Sequence, residues 1–182
     1  MIRLALWILG GFLLGGIVHL ATILLLPDLA TQDAYSRLSP VAPVNTVVPL
    51  PPPTPENAVL PFMDPALAVS VCRYDLTDGP LKFSVPVGNA YTSVSFYTRN
   101  DVAYYAINDR AAGRRVIELD LMTPEQRGEV PGDEDVTAAD RLIVESPSRT
   151  GLVIIKMLAT EPGLLAAARG TLAAARCELQ GD

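Results

Sequence analysis

Hydrophobic and polar positions divide this chain into three regions with different patterns. The first is an uninterrupted apolar run, since no charged residue occurs from Leu4 to Leu26. A helix of that length rises about 1.5 Å per residue and crosses the roughly 30 Å apolar layer of a bilayer. The run therefore predicts a transmembrane anchor at residues 1–27. A cleavable signal peptide is the alternative, but its apolar part is only about 7–15 residues long and ends at small residues, whereas Pro27-Asp28 follows this run.

The second region, residues 28–63, is first polar and then rich in proline. Nine of the twenty-six residues from Pro40 to Pro65 are proline, a density that no helix or central strand tolerates. We expect a semi-rigid spacer of up to about 60–70 Å in polyproline II conformation. Its apolar residues also lead us to expect that part of it lies along the domain: Val41, Val44, Val47, Val48 and Leu50.

The third region, residues 64–182, shows the alternation and turn residues of a β-rich domain. It opens with Asp64-Pro65, the pattern of an N-cap followed by proline at the first helical position, which predicts one or two helical turns leading to Cys72. Alternating apolar residues then predict six strands. Their bounds are Leu81–Val87, Tyr91–Thr98, Val102–Ile107, Val116–Leu121, Arg141–Ser146 and Gly151–Ala159.

The turns between these strands predict their pairing. Arg99-Asn100-Asp101 predicts an antiparallel hairpin, Val116–Leu121 a third strand of the same meander, and Pro147–Thr150 a second hairpin. The strand Gly151–Ala159 lacks clean alternation, which indicates a central strand covered on both faces. Thr123–Gln126 predicts a single capped helical turn.

An alanine-rich helix starting at Thr160 and ending near Cys177 closes the domain, with Leu165, Ala168 and Leu172 on one stripe. The predicted fold is mainly β: an antiparallel β-sandwich or partly rolled sheet with a short N-terminal helix and a closing C-terminal helix, preceded by one transmembrane helix.

Charge indicates where the domain resides. Arg3 precedes the apolar run and Asp28 and Asp33 follow it, a bias that places the N-terminus in the cytoplasm and the domain in the periplasm. Two lysines stand against twelve arginines, a usage typical of a GC-rich bacterium, so the membrane is a bacterial inner membrane. The net charge of −6 argues against nucleic acid as a partner.

Two cysteines, Cys72 and Cys177, bracket the folded region. An oxidising compartment favours a disulfide between them, and two buried free thiols are the alternative.

Familiar catalytic and metal-binding patterns do not emerge from the sequence. The sole histidine, His19, lies in the anchor, where it is either a functional candidate or hydrogen-bonded to a neighbouring helix or a water. Histidine-dependent triads and the usual zinc sites therefore cannot be assembled in the domain, and no cofactor motif occurs. The acidic run Glu129–Asp135 lacks the spacing and glycine of an EF-hand. We predict no catalytic residue, metal or cofactor.

Residues other than histidine leave two catalytic arrangements open. A serine with Lys82 or Lys156 as base, or a carboxylate pair such as Asp75 and Asp109, is chemically conceivable, although nothing in the spacing raises these above strand and turn chemistry. Gly11 and Gly15 form a G-x-x-x-G, a weak indication of homodimerisation through the anchor.

Tyrosines mark the candidate recognition surface. Tyr91 and Tyr97 share a strand face with two serines, a composition typical of recognition surfaces. The competing interpretation, which we favour, is that tyrosine is simply a good strand residue.

The motifs V-C-R-Y-D-L-T-D-G-P, Y-T-S-V-S-F-Y, A-I-N-D-R and A-A-R-C, in this order, resemble a bacterial family known as domain of unknown function twelve-fifty-four, in particular its short, singly anchored members. The resemblance covers most of Pro61 to Cys177 and departs at Thr92, where the family pattern has tryptophan. It implies a β-rich envelope domain, accompanied by a related domain in the same chain or in a neighbouring small membrane protein. It also implies framework positions: Arg73, Tyr74, Asp75, Tyr91, Asn108, Asp109 and Arg110.

The leading hypothesis is a non-enzymatic, inner-membrane-anchored periplasmic module that binds a protein partner or envelope component. The alternative is a hydrolase-like enzyme with Asp, Tyr or Arg chemistry, completed by a partner subunit. The candidate binding residues are those framework positions together with Tyr97.

Overall fold

A computed structural model describes residues 2–29, 33–113, 115–129 and 142–180. The chain forms two compact units, Met1–Asp33 and Ala34–Asp182. The first contains α1 (Ile2–Leu29), whose segment Ile2–Leu26 is long and apolar enough to cross a membrane by length and composition.

The second unit contains nine strands and four short α-helices among the described residues. The strands are β1 (Val47–Pro49), β2 (Leu67–Asp75), β3 (Leu81–Pro86), β4 (Thr92–Thr98), β5 (Ala103–Asn108), β6 (Val116–Met122), β7 (Leu142–Glu145), β8 (Thr150–Leu158) and β9 (Arg176–Leu179). The helices are α2 (Ala34–Leu38), α3 (Asp109–Ala112), α4 (Pro124–Glu129) and α5 (Leu165–Leu172), with a 3₁₀ turn at Pro162–Leu164 before α5.

Two sheets build the domain. The first has the order β1-β2-β8-β4-β5 and the second the order β7-β6-β3-β9. All pairs are antiparallel except β6 with β7. The predicted class, mainly β with mostly antiparallel sheets and a C-terminal helix, is confirmed, and β8 lies at the centre of its sheet as its lack of alternation predicts.

The core lies between the sheets because each strand turns one of its alternating faces inward. The first sheet contributes the faces of Tyr74, Phe96 and Val153, and the second those of Phe83 and Leu119, all within one buried cluster. The Phe83 and Phe96 rings meet edge to face at 5.9 Å between centroids. Alternation puts Leu81, Phe83, Val85 and Val87 on one face of their strand and turns Ile117, Leu119 and Leu121 inward; all are buried except Val87, which lies beyond the end of β3 and is partly buried.

A second cluster covers the other face of the first sheet. Residues 34–63, here called the strap, place Leu38, Ala42 and Leu50 against β2 and β8, with all three side chains buried. Within the strap, Val47–Pro49 pairs with β2 as an edge strand, a position where proline is tolerated. The strap therefore lies along the domain, as its apolar residues predict, and does not run as a free spacer. The compact unit starts at Ala34, before the predicted domain start at Asp64.

The predicted N-terminal helix is wrong, because the chain from Leu67 to Asp75 is strand β2. Asp64 does act as a local cap, since its Oδ1 accepts a hydrogen bond from the Ala66 amide at 2.8 Å, but only a turn follows. The strand is buried on both faces, between the core and the strap. Tertiary burial therefore overrides the helix-start signal.

Two connections also differ from prediction. β6 pairs with β3 and β7 rather than with β5, so it is not the third strand of a meander. Pro147–Thr150 joins β7 of one sheet to β8 of the other and is not a hairpin. In both cases the chain crosses between layers, which local alternation does not reveal.

The C-terminal helix is shorter than predicted, because α5 ends at Leu172 and the chain then returns as β9 beside β3. Cys177 lies in β9 and is disulfide-bonded to Cys72 in β2, with 6.6 Å between the Cα atoms. The predicted disulfide is confirmed, and it ties the edge strand of one sheet to the other sheet.

The predicted capped turn is also confirmed, at the start of α4. The Gln126 amide donates to the Thr123 hydroxyl at 3.3 Å, and the Thr123 amide donates to Gln126 Oε1 at 2.9 Å. This reciprocal pairing is the capping box that the sequence predicts.

Candidate functional site

Tyr74 is the centre of a buried hydroxyl network between the sheets. Its ring is fully buried, and its hydroxyl lies 2.9 Å from Ser146 Oγ, 3.1 Å from the Tyr104 hydroxyl and 3.2 Å from the carbonyl oxygen of Tyr97. Ser146 donates onward to the Ser148 carbonyl at 2.6 Å. Buried hydroxyls need such partners, so the network fixes β2, β4, β5 and the β7–β8 connection relative to one another.

The network consists of neutral groups. Burial, and next the neighbouring Tyr74, raise the pKa of Tyr104 well above its ordinary value. The Tyr104 phenol therefore keeps its proton at neutral pH and provides no general base. These contacts give Tyr74 a structural role in the core.

Gly151 makes this arrangement possible. A Cβ at this position would overlap the Tyr74 hydroxyl, the Tyr74 ring and the backbone carbonyl of Tyr97. Gly151 lies opposite Tyr74 on β2 and opposite Thr98 on β4. The close approach of these strands at the ring therefore requires glycine.

Arg73 faces the strap and holds it. Its Nη1 donates to the carbonyls of Ala42 at 3.1 Å and Ser39 at 3.4 Å. Its guanidinium carbon lies 4.3 Å from the centre of the Tyr35 ring, and the guanidinium carbon of Arg99 lies at the same distance. Tyr35 is thus in contact with two cations, a favourable arrangement for an aromatic ring, and Arg73 serves the attachment of the strap.

Asp75 is occupied by turn and strand contacts. Its Oδ1 accepts from the amide and the hydroxyl of Thr77 at 2.9 and 2.6 Å. Its backbone amide and carbonyl both pair with the side-chain amide of Asn45, at 2.8 and 3.0 Å. Asn45, whose φ is 56°, thus adds one more residue to the pairing between the strap and β2.

The loop after β5 uses Asn108 and Asp109 in the same way. Asn108 Oδ1 accepts from the Ala111 amide at 2.9 Å and caps α3, while Asp109 Oδ1 accepts from the Thr92 amide at 3.4 Å. Thr92, which replaces the tryptophan of the family pattern, is buried. Arg110 remains exposed. Three residues of the acidic run named above lie outside the described residues: Asp133, Glu134 and Asp135.

The two candidate tyrosines, Tyr97 in β4 and Tyr91 just before it, have different surroundings. Tyr97 packs against the strap cluster, whereas 45% of Tyr91 is exposed. The predicted alternation of this strand is confirmed, since Thr92, Val94 and Phe96 are buried. Of the eight candidate binding residues, Tyr91 and Arg110 thus present their side chains to solvent, and the structure brings six into framework contacts.

Two open clefts flank α4. One, of about 490 Å³, is lined by Thr77, Asp78, Gly79, Pro80, Gln126, Glu129 and Gln180. The other, of about 280 Å³, is lined by Thr123, Pro124, Glu125, Ser146, Pro147, Ser148 and Arg149. A hydrogen bond with the Thr123 side chain lowers the pKa of Glu125. Among the described residues, no three His, Cys, Asp or Glu side chains are placed to hold a metal ion.

The first sheet ends in an edge strand of unusual composition. β5 pairs with β4 on one side and is last in its sheet. Its sequence, A-Y-Y-A-I-N, contains neither charge nor proline, and Ala103 and Ala106 are exposed. Sheet edges of soluble proteins are usually protected from pairing by lysine, proline or a bulge. β5 has neither lysine nor proline, but it carries a bulge at Tyr104, because Phe96 pairs with Tyr105 and the next residue, Tyr97, pairs with Ala103.

Sequence reasoning misses several residues that organise these sites: Tyr35, Asn45, Ser146 and Gly151. Each gains its role from a contact with a segment distant in sequence. Only Gly151 carries a local signal, because a glycine at a strand end often marks a close backbone approach.

Comparison with known families matches residues 44–178 to the model described as "Protein of unknown function (DUF1254)". The first ten residues of the strap thus precede the matched region. No curated protein matches the chain.

Two solved structures are similar to this chain. The VPA0106 protein from Vibrio parahaemolyticus gives a TM-score of 0.57 at 15% identity, over 79% of this chain and 33% of that one. An uncharacterised protein from Burkholderia cenocepacia gives 0.48 at 15%, over 74% of this chain and 35% of that one. The likeness to the Vibrio protein concerns the fold alone, and the chain spans about a third of the length of these two proteins.

Proposed function

The chain belongs to the family described as "Protein of unknown function (DUF1254)", a description that names no activity. From the structure we propose that it is a membrane-anchored binding module that recruits a protein partner without catalysing a reaction. The partner is an envelope protein, and the contact is made by strand addition at β5. The single observation that carries the proposal is the uncharged, proline-free edge of the first sheet.

An edge strand of this kind offers a row of backbone amide and carbonyl groups to a second chain. A segment that pairs with it gains main-chain hydrogen bonds, and alternate side chains supply specificity. The regularly paired part of β5, Tyr105–Asn108, is long enough for this, since strands of globular proteins are usually about 3–10 residues long. The exposed Ala103 and Ala106 leave room for an approaching chain.

The contacts of the sequence candidates leave Tyr91 available for binding. Tyr74, Asn108 and Asp109 form internal hydrogen bonds that shape the hairpin of β4 and β5, and Asp75 bonds to Asn45 and Thr77. Tyr91, just before β4, remains partly exposed and is available for contacts beside the edge.

The remaining features suit a module in the bacterial periplasm. The apolar helix has the length and composition of a signal anchor, and the disulfide is typical of an oxidising compartment. Arg3 before the apolar run and Asp28 after it favour a cytoplasmic N-terminus in a single-pass inner-membrane protein. A reporter enzyme fused after the last residue is expected to be active in the periplasm; activity in the cytoplasm instead would contradict this orientation.

We infer that the partner is a related small membrane protein or another envelope protein, as the resemblance to the family's singly anchored members implies.

The test is photocrosslinking in cells with the full-length, membrane-embedded protein. A photoreactive residue at Ala103 is expected to capture one recurrent protein, and the variant Ala106→Lys is expected to abolish capture because it places a charge in the edge. The matched control is the same photoreactive residue at Lys82, an exposed position of β3 in the other sheet. Ala106→Lys should leave the melting temperature unchanged, since its side chain is exposed.

Equal capture from Ala103 and Lys82, or capture that survives Ala106→Lys, would refute strand addition at β5. Absence of any captured protein would refute the proposed function.

A further inference from the structure

Phe62 is exposed to solvent, unlike the apolar residues next to it in the strap. The Phe62 side chain is completely exposed, with a relative accessibility of 103%. The apolar residues around it, Val59, Leu60 and Met63, all pack against the strap cluster. The loop thus partly buries its other large apolar side chains and leaves one aromatic ring in solvent.

The backbone at Phe62 is strained. Its φ is +58°, in the left-handed region that bulky residues rarely adopt. Among the described non-glycine residues, Asn45 and Asp101 also have positive φ, but asparagine and aspartate tolerate this conformation. A bulky residue held in an unfavourable conformation points to a role outside the fold.

The loop around Phe62 is restrained by two prolines and by the hydrogen bonds of a turn. Pro61 precedes it and Pro65 follows, and proline fixes its own φ. Asp64 closes the turn, since its side chain accepts from the Ala66 amide at 2.8 Å and its carbonyl from the Leu67 amide at 3.1 Å. A ring presented on a restrained loop loses little conformational freedom when it is bound.

We propose that Phe62 is the anchor of a second contact with the partner protein, where its ring enters an apolar pocket rimmed by Lys or Arg. The proposal rests on the proposed function, because it assumes that a protein partner exists. Exposed aromatic anchors of this kind commonly dominate the affinity of an interface.

The charge of the sequence on either side of Phe62 favours this occupant. From Leu38 to Cys72 the chain contains no Lys or Arg, and the two charged residues are Glu56 and Asp64. Segments that bind lipid surfaces combine aromatic residues with Lys and Arg, so a bilayer is a poor match. A protein pocket with a basic rim complements the two carboxylates.

The test replaces Phe62 in the full-length protein in cells. Phe62→Asn removes the ring but suits the left-handed backbone, so we expect the melting temperature to stay unchanged or to rise. Co-purification of the protein captured at Ala103 is expected to weaken at least tenfold, whereas Phe62→Tyr should retain it. Leu164→Asn is the matched control, because Leu164 is another exposed apolar residue, at 48%, and this change should leave binding unaffected.

A photoreactive phenylalanine at position 62 identifies the occupant. The expected adduct maps to a partner peptide that contains apolar and basic residues, and Glu56→Lys should lower its yield several-fold. An adduct with lipid, or one of twice the monomer mass that contains only this chain, would overturn the proposal.

The two proposals fail separately. If Ala103 captures a protein but Phe62→Asn has no effect on it, the role of Phe62 is refuted and the binding module stands. If neither position captures a protein, both are refuted.

Discussion

Gly151→Ala provides a stringent test of the packing between β2, β4 and β8. The added Cβ would overlap the hydroxyl and ring of Tyr74 and the backbone carbonyl of Tyr97. Neither neighbour moves easily, because one atom belongs to the backbone of a sheet and the fully buried ring has three hydroxyl contacts. We therefore expect Tyr74 to be displaced from its network.

The magnitude of the destabilisation combines overpacking with broken hydrogen bonds. Overpacking in a core costs about 1–3 kcal/mol, and each buried hydrogen bond that Tyr74 no longer makes costs roughly 1 kcal/mol or more. With two hydrogen bonds broken, the free energy of unfolding should fall by about 3–5 kcal/mol. For a domain of this size, each kcal/mol lowers the melting temperature by about 2–4 °C.

Thermal and urea unfolding of the detergent-purified protein, followed by far-ultraviolet circular dichroism, measures the change. Gly170→Ala is the matched control: Gly170 lies within α5 and a Cβ there meets nothing within 4 Å. This change should stabilise the protein by up to about 1 kcal/mol, because alanine is the better helix former. The same substitution is thus expected to act in opposite directions at the two sites.

A double-mutant cycle assigns the effect to the Tyr74 ring. Tyr74→Phe removes the hydroxyl that the Cβ added by Gly151→Ala would meet, so the costs of the two substitutions should not add. A melting temperature of Gly151→Ala within about 2 °C of the parent, which corresponds to less than about 1 kcal/mol, or strict additivity, would refute the proposed packing.

Three further predictions concern buried groups. Ser70→Ala should raise the free energy of unfolding by about 1 kcal/mol in urea titrations. The buried Ser70 Oγ lacks a hydrogen-bond partner among the described residues, and an unpaired buried hydroxyl destabilises the fold. A loss of stability would show that the hydroxyl has a partner. Replacing Cys72 and Cys177 by alanine should lower the free energy of unfolding by up to about 4–5 kcal/mol, the chain-entropy value for a 105-residue separation. Thiol labelling of the denatured, unreduced parent protein should find no free thiol. Titration of Tyr104 should not change the free energy of unfolding below about pH 10 and should lower it above that pH. The reason is that the phenol of the unfolded chain loses its proton there, while the raised pKa keeps the phenol of the folded chain protonated. Tyr104→Phe should reduce this alkaline loss of stability in pH-dependent melts.

Local alternation is a good guide to strands and to their buried faces. The period of two places Leu119 inward and assigns Phe83 and Phe96 each to one face of its strand, and all three are buried. Alternation nevertheless assigns β6 to the wrong sheet, because periodicity says which face is apolar but not which strand lies alongside. The motif Asp64-Pro65 likewise predicts a helix that does not form, since the burial of β2 on both sides depends on the strap.

The candidate site is predictable only in part. The motif residues Tyr74, Asp75 and Asn108 are identified as framework positions from the sequence, and their hydrogen bonds agree with that role. Their partners, Asn45, Ser146 and Gly151, come from segments far away in sequence, so no local pattern points to them. The exposure of Phe62 is likewise hidden, because an apolar stretch does not say which of its side chains stays outside.

Local composition suffices for one group of features: the length of the apolar helix, the six strands β3 to β8 with their alternating faces, and the proline-rich segment. With only two cysteines and an oxidising compartment, it also favours the disulfide. Another group exists only in the folded chain: the order of strands in the two sheets, the attachment of the strap, the hydroxyl network around Tyr74 and the display of Phe62. The physical reason is that strand pairing and side-chain burial are set by contacts between distant segments, whose free energies no single segment carries.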